Sequence, residues 1–306
     1  MLRIPVSVLL LWVLTACATS PHGRTQLIAP SALQGFSAVY SEFDMHLQLV
    51  TAADAPFCED VECAANRLFD QRILALGGRL ADAAFRQHAE LHLRFPRFEF
   101  IVADKLDPGA ASSAAGTVVI FRGVRGLDLD DAALAFILAR EMSHIIVGHH
   151  DENVTTSILV AVAAQILFPA LNLGALFSSG AATTAAATTA AGSALATTAV
   201  ASAASFAGSR ALRATYRPQH VLEAEAMALE LLAAAGWDGR EASDQLEALR
   251  PAIPDEPAWT TELRESVLRI AALMQGPMPL EAIAAVDQIV PAVPFELPPP
   301  MVSKPF

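Results

Sequence analysis

The sequence predicts an α+β fold that is mainly α-helical with a small β-sheet. Three observations predict it. Long stretches carry apolar residues at helical spacing, as in "CAANRLFDQRILALGGRLADAAFRQ" (63–87). Two short stretches, "RFEFIVAD" (97–104) and "GTVVIFRG" (116–123), are rich in strand formers and sit beside turn signals. The segment "LDLDDAALAFILAREMSHIIVGHH" (127–150) is then apolar nearly all round, which marks a buried helix.

Residues 36–92 read as helices, interrupted at Gly77-Gly78. Asp107-Pro108-Gly109 is a turn between the two strands. Asp128 or Asp130 caps the buried helix, which starts near 131. That helix places Arg140 and His144 one turn apart on one face. Residues 158–177 have the length of a membrane span, but Gln165, Pro169 and Asn172 interrupt it. A buried or membrane-facing helix is preferred there to an inserted one. Residues 178–208 are Ala/Thr/Ser/Gly low complexity. "PQHVLEAEAMALELLAAAGWDG" (218–239) is a helix ending near Gly236, and another covers 261–274. The tail 291–306 carries six prolines and is expected to be extended or disordered.

The chain has 306 residues, a net charge of −12 and 7% aromatics, which disfavours nucleic acid as a partner because an acidic surface repels phosphate. Hydrophobic residues make up 54%, but alanine supplies much of that figure, so it overstates membrane character. Arg3 followed by the apolar run Val8–Leu14 has the layout of a secretory signal and is too short to span a bilayer. Leu14-Thr15-Ala16-Cys17 resembles a bacterial lipobox, which implies cleavage before Cys17 and its acylation. Ala18 follows it instead of aspartate, so the outer membrane is expected, the chain being held there by its acyl groups on the periplasmic side. The plain alternative is an ordinary signal peptide with a chance cysteine. An exported chain meets an oxidising compartment, so Cys58 and Cys63 in "CEDVEC" are expected to form a short disulfide rather than half of a metal site.

These readings divide the chain into a signal peptide (1–16), a lipidated tether (17–35), one domain (36–280) and a Pro-rich tail (281–306). Within the domain, 158–208 is an apolar, Ala-rich helical insert.

The chemistry concentrates in "LAREMSHIIVGHH" (138–150). With histidine in place of Arg140 it would read His-Glu-x-x-His, a helical zinc site in which a glutamate is the general base. As written, Glu141 and His144 remain, and a cation sits where the first metal ligand belongs. This stretch, followed about 75 residues on by "YRPQHVLEAEAMALELLAAAGWD" (216–238), resembles peptidase family M48, the gluzincin family of HtpX-like and Ste-type membrane proteases and related periplasmic lipoproteins. The resemblance covers roughly 60–275. It implies a gluzincin-like metallopeptidase domain: strands, a metal helix, apolar helices, then a helix carrying Glu-x-x-Ala-Asp.

Anchoring that motif on Tyr216 and on Gly236-Trp237-Asp238 puts its glutamate, the third ligand, on Val221 and its aspartate on Glu225. A two-residue shift would make Glu223 the ligand, at the cost of rotating the helix by about 200°. The family's Thr-His-Pro falls on Glu262-Leu263-Arg264, and its Asn-Ala on Gly109-Ala110. Of the three ligands the resemblance implies, only His144 is present in the favoured register, so no cofactor is expected; zinc is expected if the chain is active.

Arg140 is expected to replace the metal by pairing with Glu225 or Glu141, or else to snorkel into solvent from an open cleft. His149 and His150, five and six residues past His144, are expected to be solvated or to cap the helix end. His220 stands about 100° round from Val221 and is a further candidate ligand beside His144. Two functional readings follow. In one, the chain is a pseudoenzyme that binds a peptide or envelope protein, taking it on the edge of strand 117–122. In the other, it is an active zinc endopeptidase that uses Glu223 or His220 as a ligand and degrades misfolded envelope proteins.

Overall fold

The computed structural model describes residues 17–28, 34–156, 218–249 and 258–274. The expected signal peptide, the apolar insert 158–208 and the tail 281–306 lie outside the described residues. Helix α1 spans Gln34–Thr51 and α2 spans Asp60–Gln87. A Cys58–Cys63 disulfide, with Cα atoms 5.1 Å apart, closes the entry to α2. The expected break at Gly77-Gly78 is absent, because α2 runs straight through both glycines. Gly77 serves packing instead: a Cβ there would lie 2.7 Å from the Phe100 ring.

Phe100 belongs to β3, Glu99–Ala103. The sheet continues with β4, Ala110–Ser112, and β5, Thr117–Phe121, in the order β3-β5-β4. β3 runs parallel to β5 and β4 antiparallel to it. Ala-Ala-Ser has little intrinsic strand preference, so β4 gave no signal in the sequence. Its position overturns one expectation: β5 is the central strand, paired on both sides, and its edge is not free to accept a peptide.

α3, Asp131–Val147, packs across this sheet and against α2. Asp130 is its cap, accepting from the Ala133 amide at 2.8 Å, while Asp128 takes a left-handed turn. The helix is buried along nearly its whole length, as its all-round apolar pattern requires. Gly148, at φ 86°, ends it, and α4, His149–Thr156, departs at 53°. Arg94 pins this corner by donating to the Ile145 carbonyl and to Asp151 Oδ2, both at 2.8 Å. No single described helix is long and apolar enough to cross a membrane.

A helix over 218–235, α5, adds Met227, Leu231 and Leu232 to the core and ends at Gly236, φ 84°. α6, Gly239–Glu247, and α7, Ala258–Met274, complete the helical layer. Residues expected as a bare tether are instead partly ordered. β1, Cys17–Thr19, and β2, Thr25–Leu27, form an antiparallel hairpin. Gln26 fastens it to the end of α3 by donating to the Val147 carbonyl at 3.1 Å.

Gly123, just after β5, lies where a side chain would overlap the backbone at Leu106 and Asp107. Gly123→Ala should therefore cost about 1–3 kcal/mol in urea unfolding. Gly126→Ala, which meets no neighbour, should stay within about 0.5 kcal/mol.

Candidate functional site

Three positions on two helices carry the candidate metal chemistry: Arg140 and His144 on α3, and Val221 on α5. Arg140 and Val221 are buried and His144 is half-buried, and an unpaired charge in the interior costs several kcal/mol, so partners decide what each can do. Arg140 is 4% exposed, which excludes snorkelling. Its Nη2 donates to Glu262 of α7. Neither Glu225 nor Glu141, the expected partners, accepts that bond. Glu225, fully buried, receives the Arg269 fork at 2.7 and 2.9 Å and the Ser266 hydroxyl at 2.5 Å. Burial pushes Arg140 toward losing its proton, but Glu262, Glu225 and Glu141 together outweigh it and hold the guanidinium above its ordinary pKa. Arg140 is therefore a fixed positive charge among three carboxylates. Glu262 is the first residue of the stretch on which the family's Thr-His-Pro falls, with Leu263 at the histidine. The missing histidine was visible in the sequence, but the role of Glu262 as a counter-ion was not.

Glu141 faces the sheet. Its Oε2 accepts from Ser112 Oγ at 3.0 Å, and Ser112 Oγ lies 3.2 Å from His150 Nε2. Since that serine proton points to Glu141, His150 donates through Nε2–H.

His144 and His149 meet through their Nδ1 atoms at 2.8 Å. His149 Nε2 reaches Glu223 Oε2 at 3.2 Å. A carboxylate accepts only, so His149 carries its proton on Nε2 and accepts at Nδ1 from His144. That tautomer leaves the His144 Nε2 lone pair unprotonated. Burial first, then neighbouring histidines and Arg140, holds His144 well below the usual histidine pKa. Burial, with His220 and Arg24, does the same to His149. His150 falls to about 4, through burial, Arg94 and His220. The expectation that His149 and His150 are solvated or end-capping is thus wrong. It assumed a straight helix, whereas the turn at Gly148 folds both rings back toward His144 and the sheet.

His220 also joins this group. Its ring stacks on His149 with centroids 4.3 Å apart, and its Nε2 lies 3.0 Å from Glu152 Oε2. Glu152 and Glu223 share one further partner, missed entirely from the sequence: Arg24 of the N-terminal hairpin. Arg24 donates to Glu152 at 2.7 and 2.9 Å and to Glu223 at 2.9 Å. Burial opposes ionisation of Glu152, but His220 and Arg24 together take its pKa down to about 2.

Zinc needs three protein donors around one open position. Of the three ligand positions that the resemblance implies, His144 alone supplies a lone pair; Arg140 brings a permanent charge and Val221 an apolar side chain. Among the described residues no group of three or more His, Cys, Asp or Glu side chains is arranged to hold a metal ion. The donor set among the described residues does not fit zinc.

A buried helix bearing Glu141 and His144, backed by a three-stranded sheet and faced by a helix bearing Glu223 and Glu225, defines a metallopeptidase-like protein. The model for peptidase family M48 matches residues 74–289, and the chain belongs to that family. No curated protein and no solved structure matches it.

Two predictions follow from the buried charges. Glu262→Ala removes the Arg140 counter-ion and should destabilise by about 3 kcal/mol in chemical denaturation, with Glu225 and Glu141 limiting the loss. The three histidines with lowered pKa make the fold acid-labile. The unfolded chain binds their protons near pH 6.5 and the native state refuses them, so stability is full above about pH 7 and falls as pH drops toward about 4. Urea midpoints from pH 7.5 to 4.5 should decline steadily, and a flat profile would contradict neutral buried rings.

Proposed function

We propose that this chain is a catalytically silent M48 relative, a lipoprotein anchored at Cys17 on the periplasmic side of the bacterial outer membrane. It binds a peptide or an envelope protein without cleaving it, in an adaptor or quality-control role. The observation that carries the reading is the ion pair Arg140–Glu262. A guanidinium fixed among carboxylates occupies the charge position of the metal, and Val221 fills the third ligand position with hydrocarbon. Glu141 keeps the general-base position, but without a metal-bound water it has no polarised proton to accept.

The envelope location draws support from α1. Phe36, Val39, Phe43, Leu47 and Val50 are exposed at helical spacing, a stripe suited to lying on the bilayer beside an anchored Cys17. The Cys58–Cys63 disulfide suits an oxidising compartment.

The alternative is an active zinc endopeptidase that uses Glu223 or His220. The nearness of His144, His149, Glu223 and His220 favours it, but Arg24 and Glu152 already engage the outer members of that chain.

Metal content of the purified mature protein separates the two. The proposal expects substoichiometric zinc and no casein cleavage, and it expects Arg140→His with Val221→Glu to gain zinc. Stoichiometric zinc in the unaltered protein, with cleavage abolished by Glu141→Gln, would reverse it.

A further inference from the structure

The Arg24 contact has no place in metallopeptidase chemistry. Glu152 and Glu223 are both buried, come from different helices, and converge on one guanidinium. Two carboxylates on Arg24's planar fork make a geometry that an ammonium cannot reproduce. Glu223 Oε1 is also buried and has no hydrogen-bond partner, so the carboxylate whose Oε2 meets Arg24 keeps acceptor capacity to spare. Such an atom is costly in a structural ion pair and useful in a binding site.

The hairpin that brings Arg24 has few other polar side-chain ties among the described residues. Its strands have three residues each, and a two-stranded hairpin of that length has little stability of its own. Among the described residues, its other polar side-chain ties to the body are Gln26 to the Val147 carbonyl and a 3.3 Å contact of His22 with the exposed Glu230. The chain as a whole is acidic, at −12, which favours approach of a basic partner.

We propose that Glu152 and Glu223 form an arginine-recognition site for a peptide partner, and that the chain's own Arg24 occupies it until a partner arginine displaces the hairpin. This rests on the peptide-binding reading above and names the chemistry of the peptide. The stack of His149 on His220 forms the floor that orients both carboxylates: His149 meets Glu223 and His220 meets Glu152. Displacement is a direct exchange of one guanidinium for another, so neither carboxylate is left bare while the site is filled.

The test uses Arg24→Ala in the full chain with two probes. Methylguanidinium reads the site alone; a labelled peptide of residues 18–27, with arginine or its neutral isostere citrulline at position 24, reads the binding role. We expect methylguanidinium to raise the melting temperature of Arg24→Ala and not of Arg24→Ala/Glu223→Gln. The arginine peptide should bind Arg24→Ala at least about tenfold more tightly than the citrulline peptide, and the unaltered protein more weakly than the variant. Should Arg24→Ala not fold, amide exchange of the hairpin in the unaltered protein should quicken in millimolar methylguanidinium. Equal affinity for the two peptides overturns the proposal, even if methylguanidinium still stabilises. Loss of the methylguanidinium effect overturns the site itself, whatever the outcome of the zinc measurement.

Discussion

The charge of Arg140 is the constraint on which the rest of the site depends. A guanidinium does not shed its proton inside a protein, so a helix that buries one must surround it with anions. α7 supplies Glu262, and α5 supplies Glu225, itself held by Arg269. These contacts tie α3, α5 and α7 into one charge network. Hydrogen bonds from Arg140 to Glu262 and from Arg269 to Glu225 join α7 to α3 and to α5, so each buried charge has an opposite charge beside it.

Beside this network lies a second, built on neutral histidines. His144, His149 and Glu223 form a directed proton chain whose tautomers follow from the carboxylate at its end. His144 keeps a lone pair on Nε2 although nothing at positions 140 and 221 shares a ligand role with it. The second network is tuned to exclude protons, and the first to retain one. The separation is electrostatic: Arg140 is among the causes that keep His144 neutral.

Much of the fold was legible in the sequence because burial leaves a periodic trace. α3 announced itself by being apolar all round, and α5 by its ending at Gly236. β4 left no trace, since three small residues become a strand only when β5 is there to pair with them. The site was legible where a motif had a fixed spacing and illegible where chain reversal or long range decided it. The left-handed turn at Gly148 defeated extrapolation from a straight helix. The choice of Glu262 over Glu225 depends on how α7 packs, which no local pattern records. Arg24 is the extreme case: it stands 128 residues from Glu152 and 199 from Glu223, and nothing near it marks it as a site residue.

That distance also imposes an order on folding. Arg24 can dock only where Glu152 and Glu223 already stand together, and those two carboxylates meet only once α4 and α5 have packed. The hairpin therefore closes onto a pocket that the body of the domain has to build first.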